Sequence, residues 1–321
     1  MNTFKKKIKS GLFIVTFFAS APVVWAQDSI SFIPTWKEGD HYQYVLSRLR
    51  QDYTNDTLYS TTSFDYDISL TFGKADAEEK EITLLYKGKT KEHKVFKKTP
   101  DKYVLANALE YLTLKLYGFS SLKVVYTVDA TGAFLELKNK TELRNYISAV
   151  INAVKHEQAI TPDFKGVLEQ LKPSLLSDEY VIYSFLSEMH FYHMLYGSTW
   201  AIGKQKTEIE VPNPLTGEPL PGVLSTELKK IPAKKIAGKM EGPFYEVLMQ
   251  QQVDQAKLSK AVNEKVEDTY EQIGKENNGT PPVDFNVVYK YTVKNDIIKK
   301  ASYIKTVVSA ESKAVEEFVI K

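Results

Sequence analysis

Between Phe64 and Phe72 every second side chain is apolar. Phe64, Tyr66, Ile68, Leu70 and Phe72 alternate with Asp65, Asp67, Ser69 and Thr71. A period of two marks a strand with one buried face and one wet face. A one-residue slip would exchange the two sets, so the pattern itself fixes which side chains point inward. The period recurs at Ile82, Leu84 and Tyr86, at Leu122, Val124, Tyr126 and Val128, and from Val283 to Val293. Asp129-Ala130-Thr131-Gly132 then turns the chain into Leu135 and Leu137, a hairpin signal. Strands of this kind bury one face only and need a second layer to cover it.

The middle of the chain supplies that layer. Leu143, Ile147, Val150, Ile151 and Val154 share one face of a helix, with Asn139 or Thr141 as its cap. A second helix starts at Thr161-Pro162, carries Phe164, Val167, Leu168 and Leu171, and is expected to stop at Pro173. A third starts near Ser177, buries Val181, Ile182, Phe185, Leu186 and Met189, and ends at Gly197. Residues 100–119 are ambiguous, although Leu105, Leu109 and Leu112 fit a short helix. Beyond 199 the alternation returns at Thr207, Ile209 and Val211. A Pro- and Gly-rich loop over 212–222 follows, with strand-like stretches near 223–231 and 243–253. A helix is expected over 255–275 on Leu258, Val262, Val266 and Ile273. The clearest strand, 283–293, leads to a turn at Asn295-Asp296 and two more strand-like runs.

This order predicts an α+β fold with a large, twisted, mostly antiparallel sheet of half-open barrel form and helices packed on one face. It predicts a single domain over residues 27–321. Residues 27–138 are β-rich, 139–198 form a helical insert, and 199–321 are β-rich with one helix.

Residues 1–26 read as a cleaved signal peptide. Lys5, Lys6, Lys7 and Lys9 precede an apolar run from Gly11 to Trp25, and Val24-Trp25-Ala26 ends on a small residue before Gln27. The run is too short to span a membrane comfortably, and no later run reaches spanning length. This segment holds four Lys and no acid, of 42 basic and 40 acidic side chains in the whole chain. The mature protein is therefore slightly acidic, which argues against a nucleic-acid surface. The chain has no Cys, so an exported form does without disulfides. Some 295 residues can still bury a sizeable core unaided. These features together predict export to the periplasm or cell envelope of a bacterium.

Two Trp remain after residue 26, and both open W-x-x-G: Trp36-Lys37-Glu38-Gly39 and Trp200-Ala201-Ile202-Gly203. Each precedes an alternating region, which raises the idea of an internal duplication around the helical insert. Several of these motifs also carry a family likeness. Trp36-Lys37-Glu38-Gly39-Asp40 leads into Tyr42 and Tyr44. The hairpin Tyr126–Gly132 leads into Asn139-Lys140-Thr141-Glu142-Leu143, and the second W-x-x-G follows the helices. With these the chain resembles uncharacterised exported proteins of Bacteroidota-type Gram-negative bacteria, classed as domains of unknown function. The resemblance implies an envelope location and an antiparallel-sheet fold. It brings no catalytic residue.

Candidate chemistry is sparse. His190 and His193 are three residues apart on the third helix, a spacing that can hold a metal ion, but no third ligand is apparent. Glu188 points elsewhere, and His193 falls on the apolar stripe. His41, His93 and His156 lack matching partners. Ser120–Lys123 and Ser302–Lys305 fit S-x-x-K, but both lie in strand-like context, where that chemistry needs a helix start. No nucleotide-binding loop, nucleophile elbow or metalloprotease motif occurs. The sequence thus implies no catalytic residue, metal or cofactor. A hydrolase working through two unrecognised carboxylates stays open as an alternative.

The positive hint is aromatic. Tyr42, Tyr44, Tyr66, Tyr86, Tyr126, Tyr289 and Tyr291 all fall on alternating strands. Tyr suits a pleated, half-buried face, so packing explains much of this. The functional reading is a curved sheet whose concave aromatic face receives an apolar or sugar ligand between sheet and helices, with Tyr289 and Tyr291 as candidate contacts. The chain is accordingly read as a non-enzymatic envelope protein binding an apolar ligand or an envelope partner. The alternatives are a structural or assembly factor without a small ligand and a hydrolase with no recognisable motif.

Overall fold

A computed structural model describes residues 28–75, 79–95, 111–157, 162–212, 219–236, 239–241, 243–261, 283–309 and 312–321. Its main feature is one antiparallel sheet of eleven strands. The first meander is β2 (His41–Thr54), β3 (Thr57–Ala75), β4 (Glu79–Val95), β5 (Ser121–Asp129) and β6 (Phe134–Leu137). The second is β8 (Gly203–Pro212), β9 (Pro219–Ile231), β12 (Phe244–Val253), β13 (Val283–Lys294), β14 (Ile297–Ser309) and β15 (Ser312–Ile320). Short strands β1 (Ser29–Ser31) and β7 (Thr199–Ala201) pair with each other, as do β10 (Lys234–Ile236) and β11 (Lys239–Glu241).

The spatial order is β6-β5-β4-β3-β2-β15-β14-β13-β12-β9-β8. The last strand, β15, is thus inserted between β2 and β14, with Phe318 opposite Arg48 on one side and Tyr303 on the other. It joins the two meanders into one sheet. The sheet is not closed into a barrel: β6 and β8 are its edges, and no described residues pair them. In place of closure, helices cover part of the inner face.

Those helices are α1 (Lys140–His156), α2 (Pro162–Leu175) and α3 (Asp178–His193). In α1, Leu143, Ile147, Ile151 and Val154 are buried. Asn139 is its N-cap residue, but the Asn139 side chain does not cap the helix. It bonds β5 instead, accepting from the Val125 N–H and donating to the Lys123 carbonyl. A side-chain amide thereby extends the ladder where β6 has ended. Pro173 does not stop α2, which runs on to Leu175. In the final turn a proline forfeits one hydrogen bond, and few turns remain for the kink to disturb. Ser177 caps α3, its hydroxyl accepting from the Tyr180 N–H at 3.2 Å. α3 is buried almost all round, with Ser184, Glu188 and His193 buried beside its apolar residues. A helix of that kind is a core element rather than a surface one. Residues 111–116 and 255–261 are also helical; Leu105, Leu109, Val262, Val266 and Ile273 lie outside the described residues.

The alternating residues of β3 all face the helices. Phe64, Tyr66, Ile68, Leu70 and Phe72 are buried, whereas Asp67 is exposed and Asp65 half-exposed. Asn55-Asp56 and Asn295-Asp296 make the β2–β3 and β13–β14 turns with φ of 48°, 57°, 51° and 58°. Two successive positive φ values define the hairpin turn whose twist suits the strands, and Asn and Asp tolerate it. Both W-x-x-G glycines also have positive φ, Gly39 at 85° and Gly203 at 106°. Trp36 is buried and stacks on Phe72 at 4.6 Å, and Trp200 is buried opposite Ile30 of β1.

Candidate functional site

Strand tyrosines peg the helices to the sheet. Tyr86 donates to the Phe185 carbonyl at 3.0 Å, and Tyr291 donates to the Phe191 carbonyl at 2.6 Å. Tyr44 donates to the Ile298 carbonyl and lies 3.1 Å from the Tyr192 hydroxyl. Tyr66 reaches the Tyr117 carbonyl at 2.6 Å. Each ring fills core volume while its hydroxyl finds a partner, the usual condition for burying Tyr. Tyr291, a candidate ligand contact from sequence, is one of these pegs and is buried.

Beneath α3 lies an ion pair that the sequence does not announce. Arg48 on β2 is bonded to Glu188 on α3, and both side chains are largely buried. The Arg48 guanidinium sits 3.8 Å above the Tyr117 ring and 5.0 Å from the Phe318 ring. Glu188 also accepts from the Ser187 hydroxyl. The void here, lined by Arg48, Tyr66, Tyr86, Ser184 and Glu188 among others, measures about 10 Å³. That is room for about one water molecule, not for a ligand. An acid in the middle of an apolar helix and one of only three Arg in the chain were the available clues.

His190 and His193 also lie in the core. His193 Nε2 is 2.8 Å from the Tyr126 hydroxyl, and Trp36, Tyr192 and Tyr196 pack around the ring. His190 packs against Phe134. Among the described residues no group of three His, Cys, Asp or Glu is placed to hold a metal ion. Burial pushes His190 down to about 4 and His193 down to about 3. An unfolded histidine titrates near 6.5, so between that pH and about 4 the unfolded chain binds protons that the folded chain refuses. Stability is therefore complete above about pH 6.5 and falls as pH drops, by up to about 1.4 kcal/mol per pH unit for each imidazole. Thermal melts of His193→Gln against wild type should show a flatter decline from pH 6.5 to 4. Equal slopes would mean that His193 is not held neutral.

The other histidines sit in the sheet. His41 bonds Thr71 and Gln43, His93 bonds Thr62, and His156 closes α1. Ser302 and Lys305 project from opposite faces of β14, three residues apart on a strand, and Lys305 pairs with Glu316 at 3.4 Å. Ser120 precedes β5, and Lys123 lies on it.

An aromatic shelf lies on the helix-facing side of the sheet, beside α3. Tyr289 on β13, Tyr303 on β14 and Phe318 on β15 are direct neighbours across three strands. Tyr303 is 5.4 Å from Tyr289 and 5.3 Å from Phe318, ring centre to ring centre. Phe191 of α3 stacks on Tyr303 at 5.9 Å and forms the back wall. The three strand rings are half-buried. Burial pushes the Tyr289 phenol up to about 12, and that of Tyr303 higher still. One row further along the strands, Arg50, Glu316 and Lys305 form a charged rim, with Arg50–Glu316 at 3.0 Å. Tyr183 is the most exposed large apolar-bodied residue on α3. Sequence spacing could flag Tyr289; it could not flag Tyr303 or Phe318, which reach it only through strand pairing.

The sequence matches no protein-family model and no curated protein. Among solved structures it is similar to a chain described under "Lipid-protein interactions in lipovitellin", with a TM-score of 0.37 and 8% identity. The match covers 88% of this chain and 25% of that one, so this chain spans about a quarter of its length. A likeness this loose gives no residue-to-residue correspondence. No described helix is long and apolar enough to cross a membrane.

Proposed function

We propose that this is a non-enzymatic, exported protein of the Gram-negative envelope that binds an apolar or amphipathic ligand on the concave face of its sheet. The shelf of Tyr289, Tyr303 and Phe318 carries this reading. Flat rings offer apolar area, two phenols at their edges offer hydrogen bonds, and the charged rim of Arg50, Glu316 and Lys305 suits a polar head. The described space beneath α3 is filled by side chains and has no room for a ligand there, so the shelf is the better seat. That same filling favours a second reading, a structural factor that binds another envelope protein through this surface.

Native mass spectrometry of protein purified from its own envelope should reveal adducts of lipid-like mass, and a solvatochromic apolar dye should bind saturably. Tyr289→Asp should weaken dye binding about tenfold or more, close to 1.4 kcal/mol. Tyr291→Phe, which removes only the peg to Phe191, should leave binding unchanged. Ligand-free protein with no dye binding would discard the ligand reading in favour of the structural one.

A further inference from the structure

The sheet ends at β8, a ten-residue strand. One of its edges is paired along its whole length with β9, from Gly203 opposite Leu228 to Pro212 opposite Pro219. No described residue pairs its other edge. Among the described residues such an edge presents a row of unpaired backbone N–H and C=O groups, a template for another strand.

The charges on this strand have a specific order. Lys204-Gln205-Lys206-Thr207-Glu208-Ile209-Glu210 is antisymmetric about Thr207: each Lys on one side has a Glu at the same distance on the other. The four charged residues share one face, since they are two apart. It is the outer face. Gly203 and Thr207 lie opposite the buried Leu228 and Leu224, so the odd positions face the helices. All four charged residues are exposed, the Lys204 side chain by 81%.

We propose that two copies of this chain join antiparallel along β8, about a two-fold axis through Thr207 and normal to the sheet. That register places Lys204 opposite the second copy's Glu210 and Lys206 opposite its Glu208, and the two-fold repeats both pairs. On the helix side Gln205 faces Ile209 and Thr207 faces its own copy. Opposite charges directly across an antiparallel pair are favourable, and like charges are not. A shift of the axis by one residue sets Lys206 against Lys206 or Glu208 against Glu208. A parallel pairing in register sets every charge against its like. The charge order therefore selects one arrangement, an isologous dimer that closes on itself and continues the sheet into the second copy. Edge charges of a single sign would keep a strand unpaired; these are self-complementary.

Sedimentation equilibrium of the purified full-length exported protein tests this. Wild type should show a dimer mass that dissociates as salt rises. Lys204→Glu/Lys206→Glu makes the strand wholly acidic, and Glu208→Lys/Glu210→Lys makes it wholly basic. Each variant alone should be monomeric with unchanged far-UV circular dichroism, and an equimolar mixture of the two should recover a dimer. The proposal is overturned by a monomeric wild type, by charge variants that remain dimeric, or by a mixture that stays monomeric.

Discussion

Replacing Ile68 with Asp should lower the unfolding free energy by several kcal/mol, and the protein should melt far below wild type. Ile68 is 1% exposed, between Tyr44 of β2 and Tyr86 of β4. Both tyrosines spend their hydroxyls elsewhere, on Ile298 and Phe185 carbonyls. A carboxylate at 68 would find no cation and no free donor, and an unpaired buried charge is among the costliest single changes. The neighbouring control separates charge from position. Ser69 is on the other face of the same strand, half-exposed, and Ser69→Asp should cost under about 1 kcal/mol. Urea unfolding of the two variants is the measurement. Equal losses would contradict the assignment of inner and outer faces across β3.

Glu188→Leu should cost about 3–5 kcal/mol, because it leaves the Arg48 guanidinium buried without its anion. The second half of the experiment is the informative one. Arg48→Met/Glu188→Leu removes both charges while keeping apolar volume against Tyr117 and Phe318. It should return stability to within about 1–2 kcal/mol of wild type, and it can exceed it. The reason is that desolvating two charges offsets most of their attraction. A single variant costing under about 1 kcal/mol would mean that water reaches the pair. A double variant as damaged as the single would mean that the ion pair itself fastens α3 to β2.

A linear sequence conveys the first of these two sites and not the second. The burial of Ile68 is legible because strand alternation is local: the neighbours at 66 and 70 already state which way 68 points. The helices are legible for the same reason at a different period, and Ser177 marks the start of α3 by its own cap. The turn at Asn295-Asp296 is legible because few residue types accept two positive φ values in succession. Pro173 misleads because its effect depends on how much helix follows it.

Arg48 and Glu188, by contrast, are 140 residues apart. Neither has a neighbour in sequence that betrays the other. The shelf is a similar case. Tyr289, Tyr303 and Phe318 come from three strands, and only the antiparallel registers of β13, β14 and β15 bring them into one row. Likewise, tyrosines of one residue type on one kind of strand divide into pegs such as Tyr86 and Tyr291 and a shelf residue such as Tyr289. The difference is whether α3 passes overhead.

By itself the sequence determined the local periods, the turns and the inward-facing set on each strand, because these follow from backbone geometry and from side chains a few positions apart. Only the tertiary structure decided that β15 enters between β2 and β14, that α3 fills the concave face instead of roofing a cavity, and that β8 is left as an edge. Those outcomes depend on which surfaces bury the most apolar area against each other across hundreds of residues. No local pattern encodes that competition.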